Sequence, residues 1–255
     1  MPKRIKILIA CHRPCPVPDE PCYLPVEVGA ALHTQPIPGF TPDNTGDNIS
    51  EKNKNYCELT ALYWAWKNLD AAYIGLVHYR RYFSKRPFSK QPAQEADFRS
   101  ALEKAPILLP VKRHYWIETN YSQYIHAHHE QDLRVTRAVL ADRFPDFLPA
   151  YDRQMQKRSG HRFNMFVMRR EYFNAYCAWL FPILSAVEAR LDLSGYDAYN
   201  ARVFGFVAER LLDVWIETNG YRYRELPVLN TESQHWFRKG TAFIKRKITY
   251  KSHEK

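Results

Sequence analysis

The strongest chemical feature of the chain is His78-Tyr79-Arg80-Arg81-Tyr82-Phe83, which directly follows the apolar run at 73–77. A guanidinium fork matches phosphate oxygens in a bidentate way, and two adjacent arginines between tyrosines can clamp a diphosphate. Polar and cationic residues at the C-terminal end of a buried strand stand where open α/β sheets receive ligands. Strand alternation would turn only one of Arg80 and Arg81 toward such a ligand. A surface pair holding acidic neighbours is the other reading of the same residues.

Three further groups can carry chemistry. Asp43-Asn44-Thr45-Gly46-Asp47-Asn48-Ile49-Ser50 combines turn formers with a capping serine. It reads either as a backbone N–H site for an anion or as an ordinary capped turn. Asp43 and Asp47 fit either a cation or the dipole of the helix that follows. In Phe204-Gly205-Phe206-Val207-Ala208-Glu209-Arg210-Leu211, Glu209 sits in an apolar helical run. Burial there would raise its pKa toward the range of a useful base, whereas a surface Glu209–Arg210 charge cluster is the alternative. His126, His129 and Glu130 would share one helix face at i, i+3 and i+4, a metal-binding or merely polar face.

These groups need a frame. Residues 5–9, 73–77, 107–111 and 163–168 are apolar runs of strand type. Helical patterns fill 50–69, 120–143, 171–191 with Pro182 inside it, and 199–217. Pro182 predicts a kink or break. Eight prolines between 14 and 42 predict an irregular stretch over 11–48. Residues 223–229 close the pattern as an irregular strand. Strands alternating with helices define an α/β three-layer domain.

The chain has 255 residues, 45% of them hydrophobic and 15% aromatic, which excludes a disordered chain and suits one large domain or two small ones. No apolar run approaches the ~18 residues of a spanning helix. The run IKILIA is shorter than the roughly 7–15 residues of a signal-peptide core, so a cytoplasmic protein is expected. Five cysteines, at 11, 15, 22, 57 and 177, fit free thiols better than a disulfide framework. Cys11, His12, Cys15 and Cys22 lack the second paired half of a zinc knuckle. There is no G-x-G-x-x-G and no Walker A.

The net charge of +10 asks for an anionic partner. Nucleic-acid motifs are absent, so no nucleic acid is expected. From about Arg238 the tail mixes Lys and Arg with Trp236, Phe237, Phe243 and Tyr250. That composition suits either an anionic membrane surface or a solvated terminus. The expected division is one domain over 1–230 and a basic aromatic tail over 231–255.

Several segments together resemble a bacterial family of glycosyltransferases, first catalogued as a domain of unknown function, found in capsular, exopolysaccharide and lipopolysaccharide O-antigen gene clusters. The matching residues are 24–30 (LPVEVGA), 43–50 (DNTGDNIS) with Lys52-Asn53, 56–68 (YCELTALYWAWKN) and 75–83 (GLVHYRRYF). Looser matches follow at Asn164-Met165-Phe166, 176–181 (YCAWLF) and 202–211 (RVFGFVAERL). The likeness runs from 5 to 230.

The resemblance implies a GT-A-like fold with a central mixed, mostly parallel sheet, and a nucleotide-diphosphate sugar donor, UDP-linked, with galactofuranose or galactose among the hexoses. The acceptor would be a saccharide or lipid-linked saccharide, and the basic aromatic tail would allow a cytoplasmic enzyme a peripheral place on the inner face of the plasma membrane. The Asp-x-Asp metal motif of GT-A enzymes is absent, with His78-Tyr79-Arg80-Arg81 in its place. Fixed cations can neutralise the leaving diphosphate, so no cofactor is expected and a divalent metal is not favoured. Glu209 is the expected base of an inverting transfer, with Asp197 and Asp132 in reserve. His78, Tyr79, Arg80, Arg81, Glu27, Asp47 and Asn48 are assigned to the donor, and His126 and His129 to the acceptor. The competing readings are a non-catalytic nucleotide-sugar or polysaccharide-assembly binding protein and, more remotely, an RNA-binding protein.

Overall fold

The computed structural model describes residues 4–231. The basic aromatic tail and its membrane contact lie outside the described residues.

In chain order the strands are β1 (Ile5–Cys11), β2 (Tyr23–Glu27), β3 (Thr41–Pro42), β4 (Tyr73–His78), β5 (Arg81–Phe83), β6 (Ile107–Pro110), β7 (Arg113–His114), β8 (Ser159–Gly160), β9 (Phe166–Arg169), β10 (Tyr223–Leu226) and β11 (Val228–Asn230). The helices are α1 (Asn53–Tyr56), α2 (Leu59–Asn68), α3 (Glu95–Leu102), α4 (Asn120–Ile125), α5 (Glu130–Arg143), α6 (Leu148–Gln156), α7 (Arg170–Glu188) and α8 (Val203–Asn219). The main sheet runs β10-β6-β9-β4-β1-β2-β3, with β5 joined to β4 and β11 to β5. Along that path only β9 runs against its neighbours, antiparallel to both β4 and β6.

The central strands β1, β4, β6 and β9 are largely apolar because both faces of the sheet are covered there. On β1, Leu8 and Ala10 enter the larger core with α2 and α5–α8, whereas Ile5, Ile7, Ile9 and Cys11 enter the smaller one beside α3. β4, β6 and β9 divide their residues the same way. The result is a three-layer α/β domain. Gly75 marks the tightest point of the sheet: a Cβ there would stand 2.7 Å from Ile7 Cδ1 and 2.9 Å from the Phe166 carbonyl oxygen.

The sequence pattern and the structure part company in five places. The stretch 11–48 holds β2, which pairs with β1 over its whole length. Pro25 is tolerated because β3 pairs only with Val26 and Glu27 on the other side. The helix expected over 50–69 is a 3-10 turn, then α1, then α2, broken at Cys57 (φ 53°, ψ −128°). The Asn53 amide secures that break, donating to the Cys57 carbonyl (2.8 Å) and the Thr60 hydroxyl (3.1 Å).

The helix expected over 120–143 is likewise two, α4 and α5. His126 ends the first and His129 precedes the second, so the shared histidine face does not exist. The strand expected from 163 begins at Phe166, because Phe163 (φ 75°) and Asn164 (φ 51°) turn left-handed. α7 passes unbroken through Pro182. Pro182 and Ala178, whose carbonyl loses its N–H partner, both lie on the exposed face, where that carbonyl is open to solvent.

Candidate active site

After β1 the chain builds β2 and β3 on one side, then returns to place β4 on the other side of β1. Such a reversal leaves a crevice at the C-terminal ends of the two strands. A cleft of about 770 Å³ opens there, walled by Ala10, His12, Val28, Asn53, Tyr79 and their neighbours. A narrower cleft of about 350 Å³ shares Cys57, Glu58, His78, Arg80, Arg81 and Arg202 with it as a common wall.

Arg80 and Arg81 both stand in that common wall, against the alternation expected of a strand. The reason is local. β4 ends at His78, which pairs with Arg81 across a tight turn, so Tyr79 and Arg80 are turn residues free of the pleat. Arg80 lies over the Tyr79 ring (4.8 Å) and Arg81 over the Phe163 ring (4.3 Å). The Arg81 Nε is buried without a hydrogen-bond partner. His78 is tied by Nε2 to the Phe163 carbonyl (2.5 Å).

The narrow cleft adds Arg113, Tyr115, Gln123, His128, Arg162, Phe206, Glu209 and Arg210. Arg80, Arg81, Arg113, Arg162, Arg202 and Arg210 thus face only two carboxylates, Glu58 and Glu209, among the lining residues. Glu58 is engaged, accepting from the Asn164 amide (2.6 Å), which also donates to the Gly205 carbonyl (3.0 Å). The Glu209 carboxylate makes no hydrogen bond or ion pair with any described residue. Burial lowers the Arg81 pKa, and Glu209 is the largest influence opposing it. Cys57, Phe163 and Asn164, three non-glycine residues with positive φ, border this site. Strain of that kind persists where the surroundings over-determine the backbone, as they do around functional sites.

Arg162 is held as a strut. Its Nε donates to the Tyr115 hydroxyl (2.9 Å), and its Nη1 to the carbonyls of His161 (2.7 Å) and Glu209 (3.3 Å). Its Nη2 bonds the Asn120 side chain. Behind it the buried His161 ring lies between Asp213 and Glu225. Burial alone would raise the Asp213 pKa, but the His161 bonds outweigh it and the net shift is downward.

The other sequence-selected residues stand outside both clefts. Glu27 is fully buried and binds the His33 ring (2.6 Å) and the Ile37 N–H (2.8 Å), which uses both its oxygens. Asp47 accepts from the Tyr63 hydroxyl (3.1 Å), and Asn48 bonds within its own turn to Gly46 and Ser50. Asp43, also fully buried, accepts from the N–H groups of Gly29 (2.9 Å) and Ala30 (3.0 Å) and from the Ser50 hydroxyl. The anion at those backbone donors is therefore the protein's own, and Ser50 serves Asp43 and the Ala31 N–H in place of capping a helix. His126 pairs with Glu118 (2.6 Å), and His129 packs on the Tyr196 ring (4.2 Å). Asp132 accepts from Tyr124 (2.8 Å) and Tyr196 (2.6 Å), and Asp197 caps the turn at Tyr199 and Asn200.

Metal ligation finds little to work with. Among the described residues no group of three or more His, Cys, Asp or Glu is placed to hold an ion. The guanidinium groups of the cleft would repel one.

Over residues 6–220 the chain matches the family described as "Domain of unknown function (DUF4422)", and it belongs to that family. No curated protein matches it. Among solved structures it is similar to WbbM, a bifunctional glycosyltransferase in its apo form, with 30% identity and a TM-score of 0.83. The match covers 91% of this chain and 46% of that one, so the chain spans about half the length of the structure it resembles. The α/β fold, with its mostly parallel central sheet, is thus of a glycosyltransferase type. No helix among the described residues is long and apolar enough to cross a membrane.

Proposed function

We propose that the protein is a glycosyltransferase that moves a hexose from a UDP-sugar to a saccharide or lipid-linked saccharide of a bacterial surface polysaccharide, with inversion. The observation that carries this reading is the meeting, in one cleft, of the unpartnered Glu209 carboxylate with the cationic wall of Arg80, Arg81 and Arg202. The likeness to a bifunctional glycosyltransferase supports the reaction class.

The wide cleft, over the ends of β1 and β4, receives the nucleoside. The shared wall receives the diphosphate, and the sugar enters the narrow cleft beside Glu209. The acceptor hydroxyl oxygen attacks the anomeric carbon and yields its proton to the Glu209 carboxylate. The bond from that carbon to the diphosphate oxygen breaks, and UDP leaves with the electron pair. Arg80, Arg81 and Arg202 are already in place where this charge develops, so they need little reorganisation during the reaction. His78, Tyr79 and Phe163 shape the wall.

The test is a UDP titration together with UDP release from a panel of UDP-hexoses and saccharide acceptors. Binding with acceptor-dependent release supports the reading. Tight UDP binding without turnover on any donor would favour a non-catalytic binding protein. Steeply salt-dependent oligonucleotide binding without a UDP effect would favour an RNA-binding one.

A further inference from the structure

The narrow cleft holds more positive charge than a leaving diphosphate requires, and the surplus is separate from the wall that both clefts share. Arg210 belongs to the narrow cleft alone. It is 6% exposed, its guanidinium lies 5.4 Å from the Tyr124 ring centre, and its Nη2 donates to Gln123 Oε1 (2.5 Å) while Nε and Nη1 are buried with no hydrogen-bond partner. A buried guanidinium with unmet donors is costly unless an acceptor arrives. Arg162 beside it brings no relief, because it is itself positive and its donors are engaged.

Tyr115 points to what arrives. Its hydroxyl oxygen accepts from Arg162 Nε, which leaves its own O–H to donate. Burial would raise its pKa, yet the charges and the nearby N–H donors of Arg162 and Arg210 outweigh that and the net shift is downward. Arg113, whose guanidinium lies 5.5 Å from the Tyr115 ring centre, completes the rim. Glu209 stands next to Arg210 in sequence and lines the same cleft.

We infer that Arg210, Tyr115 and Arg113 form a second oxyanion site, and that it binds a phosphate or carboxylate carried by the acceptor close to the hydroxyl that is glycosylated. The inference rests on the donor placement proposed above. Arg210 and Arg113 meet the anion's charge and the Tyr115 O–H donates to it, which orients the acceptor hydroxyl toward Glu209.

The experiment is a calorimetric titration of the full chain saturated with UDP. The probes are a hexose 1-phosphate, a hexuronic acid and the matching neutral hexose, each repeated on Arg210→Met. The expected result is at least tenfold tighter binding of an anionic probe than of the neutral one. The stronger of the two anions identifies the group as phosphate or carboxylate. Arg210→Met should abolish the preference and leave the UDP Kd within twofold. Thermal unfolding of Arg210→Met checks that the variant is folded, and Arg113→Met, at the exposed rim, should weaken the same preference several-fold. Equal binding of neutral and anionic probes would overturn the inference. So would a UDP Kd that rises with Arg210→Met as steeply as the probe's, since Arg210 would then serve the donor. If UDP does not bind but the anionic probe does, with the same Arg210 dependence, the donor reading fails and the oxyanion site stands.

Discussion

Glu209 supports the charge of Arg81 across the narrow cleft: burial works against that charge, and the Glu209 carboxylate is the strongest influence restoring it. The two residues come from different parts of the fold, Glu209 from α8 and Arg81 from the start of β5. Their juxtaposition places a free carboxylate beside the guanidinium assigned to the leaving group.

Glu209→Gln should therefore lower kcat by about 10²–10⁴, the usual contribution of a positioned general base. UDP affinity should hold or improve slightly, since a negative charge is removed beside a diphosphate site. Steady-state kinetics paired with a UDP titration reads both, and normal turnover in the variant would remove Glu209 from the mechanism.

Arg81→Met should weaken UDP binding by about tenfold or more, since a charge-assisted hydrogen bond contributes about 1.5–3 kcal/mol. Arg80→Met should act in the same direction, because both residues occupy the shared wall. If only one of the two variants weakens binding, the diphosphate contacts one side of the β4–β5 turn alone.

Transfer should persist in EDTA, and added manganese should not increase it. Guanidinium groups supply the charge that a metal otherwise would. Loss of activity in EDTA with recovery on manganese would refute this.

Acid should destabilise the protein below the ordinary imidazole pKa. Burial is the largest cause lowering the His128 pKa from 6.5; the Asn200 hydrogen bond opposes it, and the charges of Arg210, His129 and Arg202 add to the lowering. Burial, then Arg13 and Arg80, lower His12 in the same direction. The unfolded chain thus takes up these protons at a higher pH than the folded one. Stability is full above about pH 6.5 and declines as pH falls toward the folded-state values. Urea unfolding at pH 7 and pH 5.5 should show the decline, and His128→Asn should flatten it. An unchanged slope in that variant would exclude His128 as a contributor.

Asp43→Ala should cost about 3 kcal/mol, because it strips an acceptor from two backbone N–H groups and a buried hydroxyl. Asp47→Ala, four residues on and at the surface, should stay within about 0.5 kcal/mol. Denaturant midpoints of the two variants would decide, and equal losses would mean that the 43–50 segment has another role.

What could be read from the chain was whatever a single segment expresses. A buried strand ending in His78-Tyr79-Arg80-Arg81, and a carboxylate within the apolar run at 204–211, both carry their signal locally. The alternation of strands and helices likewise gave the three-layer class. Arg113, Arg162 and Arg210 look like ordinary surface cations in sequence, and only the packing of β7, the β8–β9 loop and α8 brings them together. The left-handed Phe163 and Asn164 carry no glycine to announce them. The break at Cys57 was hidden because the apolar spacing runs straight through it, while the Asn53 side chain supplies the missing bonds. Glu27, Asp47 and Asn48 looked ligand-facing because turn residues and anion-binding residues are the same types.

The crowd of guanidinium groups has a further consequence for stability. Six like charges facing two carboxylates repel one another through a poorly screened interior. The fold therefore carries an electrostatic load that dissolved anions relieve even without specific recognition. Ionic strength then acts in two directions at once: it eases the repulsion within the cleft while competing with the proposed diphosphate for the same cations. The surroundings in which the protein is most robust are those in which it would hold the proposed donor least firmly.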